Sequence, residues 1–269
     1  MNDLNAYFGF LTEPFSKEMP AKSLFLTEQL KKLFQRLQRL LKRRGIALIT
    51  GEVGSGKSTA IRAFAENVEK KQIDFVYVDD PTVGMRGIFN SIANQLNLTS
   101  QFFKWQLMTG LKSAIEKNCH DYGKTTVVVI DEAQMLNLTE LEELRLFTNY
   151  KFDSHSPMTL ILLAQPEFNR RIKLKALEAF TQRLVLRTHL TGLSKQEARQ
   201  YIKHHLDVAG KTEPLFSDDV ITEIFQQAKG IPRLINTLCY ECLVETFLQQ
   251  KNIVDIATLE KVLLNYDEL

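Results

Sequence analysis

Cysteine is scarce in this chain: Cys119, Cys239 and Cys242 are the only three in 269 residues. So sparse and odd a set excludes a disulfide framework. Cys239 and Cys242 form a lone CxxC, which would suit a metal or redox pair if a second Cys or His pair lay nearby in the sequence, and none does. They fall in an apolar stretch of helical period (Leu234, Leu238, Leu243, Phe247) and read as buried small hydrophobes. A charge excess is missing too: 34 basic against 32 acidic side chains leave a formal net charge of +2. That balance does not advertise nucleic-acid binding, although net charge averages over a surface and leaves room for a local basic face. No apolar run approaches the about 18 residues needed to cross a bilayer. The start, Met1-Asn2-Asp3-Leu4-Asn5, has neither the basic residues nor the apolar stretch of a signal peptide. No membrane span is expected, and the cytoplasm is the expected location.

What is present is an ordinary globular composition, 44% hydrophobic and 25% charged, in a chain long enough for one large domain with a small companion. Short β-branched runs alternate with helical stretches. Strands are expected at Ile46 to Thr50, Ile73 to Val78, Thr125 to Ile130, Met158 to Ala164 and Val185 to His189. Helices are expected at Ser58 to Glu69, Met85 to Leu96, Phe102 to Asn118 and Thr139 to Tyr150. Such alternation implies a parallel sheet with helices on both faces. After Gly192 the strands stop. Ser194 and Ser217 are candidate N-caps of two helices, a third runs from about Leu234 to Gln249, and a last begins near Ala257. The expected division is an α/β core over residues 1–191 and a small all-α lid over 192–269.

Two segments carry chemistry. Gly51-Glu52-Val53-Gly54-Ser55-Gly56-Lys57-Ser58, followed by Thr59, matches GxxxxGK[ST] between a strand and a helix. Glycines let the backbone wrap phosphate oxygens, and the N–H groups opening the helix add partial positive charge. Lys57 then reaches the β and γ phosphates of ATP, and the Ser58 hydroxyl coordinates Mg²⁺. The second segment is Val127-Val128-Val129-Ile130-Asp131-Glu132. Two acids closing a buried strand are costly without a cation beside them. Asp131 suits the Mg²⁺ shell, and Glu132 suits activation of the attacking water. Gln165 follows the strand ending at Ala164 and should emerge at the same sheet edge, where its amide could orient that water. Arg183, before the fifth strand, and Arg233, entering a lid helix, read from the residues alone either as functional or as surface ion pairs.

Together these features resemble AAA+ ATPases, P-loop NTPases with a five-stranded parallel sheet and a helical lid. The resemblance implies a strand order of 5-1-4-3-2 and a homo-oligomer, ring or helical filament, with ATP between subunits. It implies that Gln165 is sensor 1, Arg233 sensor 2 in the same subunit and Arg183 the arginine finger. A narrower similarity, to ExeA/GspA-type ATPases, covers nearly the whole chain. It runs through Tyr7-Phe8-Gly9-Phe10, Pro14-Phe15-Ser16, Leu24-Phe25, Ile130-Asp131-Glu132-Ala133-Gln134, Leu163 to Phe168 and Gly230 to Cys239. In that family the N-terminal aromatic segment packs around adenine, which makes Phe10, Pro14, Phe15 and Phe25 candidates, with ordinary core packing the alternative.

The family includes secretion-assembly ATPases and transposon-encoded ATPases of the TniB/TnsC kind. Its secretion members carry a membrane span and a peptidoglycan-binding region after the ATPase. This sequence stops at Leu269, which favours the transposon type as an expectation. The expected partners are then double-stranded DNA and a transposase or target-selection protein; the alternative is energising secretion machinery. Two basic clusters offer phosphate contacts: Lys31, Lys32, Arg36, Arg39, Lys42, Arg43 and Arg44, and Arg170, Arg171, Lys173 and Lys175. Solvated helix faces are the plainer reading of both.

Overall fold

The computed structural model describes residues 2–17, 19–68, 72–99, 101–150 and 156–267. Its strands are β1 (Gly45–Gly51), β2 (Ile73–Val78), β3 (Thr125–Ile130), β4 (Met158–Ala164) and β5 (Leu184–Leu190). They form one five-stranded sheet in the order β2-β3-β4-β1-β5, and every neighbouring pair is parallel. Read from the other edge this is 5-1-4-3-2, the order that the resemblance implies.

Alternate residues of the central strands face opposite layers. Val128, Ile130, Leu160 and Leu162 join a core with helices α4 (Gly84–Gln95), α5 (Lys104–Tyr122) and α6 (Leu138–Phe147). Val127, Val129, Ile161 and Leu163 face α2 (Glu28–Arg43) and α3 (Lys57–Asn67) through Leu33, Leu37, Leu40, Ile61 and Phe64. Burial on both faces explains why β3 and β4 read as unbroken apolar runs. The segment between β4 and β5, unassigned from the sequence, holds the short helices α7 (Phe168–Arg171) and α8 (Glu178–Gln182).

By contacts the chain divides into two compact units. One comprises Glu28–Val53 and Lys57–Leu190, the other Met1–Thr27, Gly54–Gly56 and Thr191–Leu269. The second unit holds α9 (Lys195–Val208), α10 (Asp218–Ala228), α11 (Pro232–Leu248) and α12 (Ile256–Asp267). Ser194 caps α9 in a reciprocal capping box with Glu197, and Ser217 caps α10. A short helix that the sequence did not announce, α1 (Asn2–Phe8), opens the chain. Grouped by sequence with the core, residues 1–27 cluster by contacts with these helices, because Leu4, Phe8, Phe10 and Phe15 are buried in the helical core. Cys239 and Cys242 lie fully buried in the same core, and burial pushes both thiols up, Cys242 to about 12. They are packing residues.

Candidate active site

The glycine loop connects β1 to α3, and its two later glycines are needed for different reasons. Gly54 has φ +81, and a Cβ built there would lie 2.7 Å from the Cβ of Arg233 and 3.2 Å from Cγ2 of Ile231. Protein fills that space. Gly56 has φ +91, and nothing lies within 4 Å of a Cβ placed on it. The backbone there faces open room, as a loop that seats a ligand against its amides requires. Ser55 is buried, and its hydroxyl has no hydrogen-bond partner among the described residues. Buried hydroxyls rarely go unpaired. Lys57 is also buried, and its ammonium donates to the carbonyls of Gly51 at 2.8 Å and Glu52 at 3.0 Å. Glu52, Val53, Ser58 and Thr59 are exposed.

Asp131 directly follows β3, is buried, and accepts three hydrogen bonds. Its Oδ1 accepts from the Glu132 N–H at 2.8 Å. Its Oδ2 accepts from the Ser58 hydroxyl at 2.6 Å and from the Tyr77 phenol at 2.5 Å. Tyr77 lies on the edge strand β2, in register with Val129. Burial, then the Asp131 carboxylate, raises the Tyr77 phenol above its ordinary value, so it stays a donor. The sequence reading missed Tyr77; its one signal is its place near the carboxyl end of the strand paired with β3.

Glu132 is exposed and adopts the left-handed conformation, φ +49, uncommon for a side chain of this size. Its Oε2 accepts from the Gln134 amide at 2.5 Å and from the Gln165 amide at 3.3 Å. Gln134 also accepts the Gln165 backbone N–H at 3.2 Å, so one side chain bridges the loop after β3 and the end of β4. Arg171, on α7, donates to the carbonyls of Gln134 and Leu136 and pins the same loop. Read from the sequence as part of a basic cluster, Arg171 spends its guanidinium inside the protein. The bridging role of Gln134 carries no local signal beyond its place in Asp131-Glu132-Ala133-Gln134.

The remaining predicted residues are placed as follows. Arg183 ends α8 immediately before β5, half-buried, and its guanidinium approaches the Arg145 carbonyl at 3.4 Å. Arg233 is exposed in the first turn of α11, and its N–H donates to the Gly54 carbonyl at 3.3 Å. Phe15, also left-handed with φ +59, is buried; its ring stacks on His205 at 5.2 Å and meets Phe216 edge-on. Phe25 is half-buried and packs on Tyr201 and His204.

These residues suit a magnesium-bound triphosphate. An orphaned Ser55 hydroxyl, free room over Gly56, a buried ammonium on loop carbonyls and the amino end of α3 all match anionic oxygens. The Ser58 hydroxyl and the Asp131 carboxylate, 2.6 Å apart, are the hard oxygen donors that Mg²⁺ takes. Glu132 follows Asp131 directly, its carboxylate accepting from the Gln134 and Gln165 amides.

A family model described as "AAA domain" matches residues 38–172, a span that contains the glycine loop, Asp131, Glu132 and Gln165. The General secretion pathway protein A of Aeromonas hydrophila is 31% identical over 249 residues, which are 90% of this chain and 44% of that protein. The chain therefore spans less than half the length of that relative. Among solved structures, the ORC2 protein of Aeropyrum pernix superposes with a TM-score of 0.70 at 16% identity, over 92% of this chain and 70% of that one. Drosophila ORC bound to DNA gives 0.69 at 14%, over 97% and 64%. The RuvB Holliday junction branch migration motor of Thermotoga maritima gives 0.55 at 17%, over 88% and 68%. At these identities the likeness is one of fold.

Proposed function

The chain belongs to the AAA domain family and is an AAA+ ATPase, and from that premise we propose that it hydrolyses ATP at the subunit interfaces of a homo-oligomer assembled on duplex DNA. In this reading it regulates DNA transposition, with a transposase or target-selection protein docking on the ATP-bound assembly and hydrolysis dissolving it. The observation that carries the chemistry is the Ser58–Asp131 contact, with Glu132 held beside it by Gln134 and Gln165.

Each residue takes one role. The amides of residues 54–58 and the Lys57 ammonium bind the β and γ phosphates. Ser58 and Asp131 would hold Mg²⁺, which would supply positive charge against the phosphates. Glu132 accepts the proton of the attacking water, and Gln165 orients that water. Arg233, tied to the glycine loop through Gly54, meets the phosphates in its own subunit, while Arg183 is supplied to a neighbouring one. Residues 28–191 serve as the nucleotide-binding core and 192–269 as the lid, with residues 1–27, grouped with the core by sequence, packed among the lid helices. Of the aromatic residues proposed for adenine, Phe25 keeps partial exposure, whereas Phe10 and Phe15 have rings committed to the helical core and would act through backbone position.

DNA as the partner draws support from two relatives of the fold, an ORC bound to DNA and a Holliday junction motor. A second reading, an ATPase energising secretion machinery, is favoured by the 31% identity to General secretion pathway protein A. Duplex DNA added to the purified protein separates the two. The first reading expects ATP-dependent, salt-sensitive binding and faster ATP turnover. Turnover indifferent to DNA, with no binding at low salt, overturns it.

A further inference from the structure

The net charge of +2 conceals a strong local imbalance. Residues 28–44 hold seven basic side chains and one acidic one, a net of +6, so the rest of the chain sums to −4. Most of that segment is helix α2. Its apolar stripe, Leu33, Leu37 and Leu40, is buried against the sheet, which leaves the charged stripe to solvent. At 100° per residue, Lys31, Lys32, Gln35, Arg36, Arg39, Lys42 and Arg43 fall within one arc of the helix.

Some of these charges have structural employment. Lys31 pairs with Glu28 at 2.7 Å. Arg36 donates to the Thr188 hydroxyl at 2.6 Å and the Arg187 carbonyl at 2.9 Å, fastening α2 to β5. Arg44 donates to the Ser156 carbonyl at 2.8 Å. Lys32, Arg39, Lys42 and Arg43 are exposed and have no hydrogen bond or ion pair among the described residues. They run along about 16 Å of helix, the axial length of about five phosphates on one DNA strand.

We propose that this face of α2 is the surface that binds the phosphate backbone of duplex DNA, through Lys32, Arg39, Lys42 and Arg43. The proposal rests on the DNA reading above and says which surface serves it. The other basic cluster is weaker: Arg171 is spent on the carbonyls of Gln134 and Leu136, and Glu167 and Glu178 flank the remaining three cations. An anionic bilayer suits the helix less well, because its apolar side is in the core and has nothing to insert.

The test is the salt dependence of duplex binding by the full chain with ATP. Replacing Lys32, Arg39, Lys42 and Arg43 by Gln should lower the slope of log K against log salt by about 0.9 per lost phosphate contact, about 3–4 in all. Basal ATPase activity without DNA should stay unchanged, which also reports an intact fold. Gln at Arg170, Lys173 and Lys175 should leave the slope alone. A fourfold variant with the wild-type slope overturns the assignment of α2 and leaves the DNA reading intact. Wild-type protein that binds vesicles of anionic phospholipid, or nothing, but not duplex DNA overturns both.

Discussion

The Ser58 hydroxyl and the Asp131 carboxylate meet at 2.6 Å, joining the first turn of the helix after the glycine loop to the carboxyl end of β3. Seventy-three residues separate the two along the chain, and the parallel pairing of β1, β4 and β3 brings them together. A shared pair of hard oxygens is the arrangement on which the proposed chemistry rests.

Gln134 should matter to turnover more than to binding. It bridges the Glu132 carboxylate and the Gln165 N–H. Gln134→Ala removes two hydrogen bonds worth about 1 kcal/mol each, and kcat is expected to fall about tenfold or more with nucleotide affinity unchanged. Glu132→Gln, which removes the base itself, should cost about 10² to 10⁴ and trap ATP. Steady-state kinetics beside equilibrium binding distinguishes the two effects. If Gln134→Ala weakens binding and spares kcat, Gln134 does not position Glu132.

Arg183→Ala should bind ATP normally yet turn it over about 10³-fold or more slowly, as loss of a finger arginine does in related NTPases. Mixing it with a Glu132→Gln variant should restore activity, because each supplies what the other's interfaces lack. An Arg183→Ala protein with full activity removes this residue from the finger role.

The two glycines of the loop should fail differently. Gly54→Ala drives a methyl group into Arg233 and Ile231 on a left-handed backbone, so overpacking of about 1–3 kcal/mol adds to strain of about 1–2 kcal/mol. Gly56→Ala carries the strain alone and places its methyl in the room proposed for phosphate. Melting temperature should fall further in Gly54→Ala. ATP affinity should fall in Gly56→Ala even where the fold is intact. Wild-type affinity in the latter would place the phosphates elsewhere.

His205 makes stability depend on pH. Burial, then the neighbouring His204, lowers it from 6.5 to about 3, and its Nδ1 has no partner among the described residues. Between pH 6.5 and 3 the unfolded chain binds a proton that the folded one does not, so stability rises with pH there and is lost on acidification. At pH 5 the loss is about 2 kcal/mol. His205→Phe, which keeps an aromatic ring against Phe15, should flatten that part of the denaturation midpoint profile. An unchanged acid slope in the variant would assign the effect to other groups.

The sheet was legible in the sequence because β3 and β4 are covered on both faces and therefore read as unbroken apolar runs, and because the glycine loop lies between a strand and a helix. Ser194 and Ser217 marked their helices through local capping chemistry. Tyr77, Gln134 and Arg171 were not legible as a network, because each acts on a residue brought near only by strand order or by the turn after β3. Phe15 was ambiguous for the same reason: an aromatic residue near a chain start carries no mark that its ring will stack on His205, 190 residues away. The two basic clusters looked alike as strings of letters; what sets them apart is that Lys32, Arg39, Lys42 and Arg43 stay exposed on α2 with no hydrogen bond or ion pair among the described residues, whereas Arg171 is spent on internal carbonyls and Glu167 and Glu178 flank the rest of its cluster.

The central claim is that the backbone of residues 54–58 and the Lys57 ammonium seat the phosphates of ATP opposite Asp131. Equilibrium binding of ATP with Mg²⁺ to wild type and to Lys57→Ala, both verified as folded by circular dichroism, tests it most directly. Tight, magnesium-dependent binding by the wild type and its loss by about tenfold or more in Lys57→Ala is the expected result, given about 1.5–3 kcal/mol for a charge-assisted hydrogen bond. Equal affinity in the two proteins, or no binding by either, would contradict it.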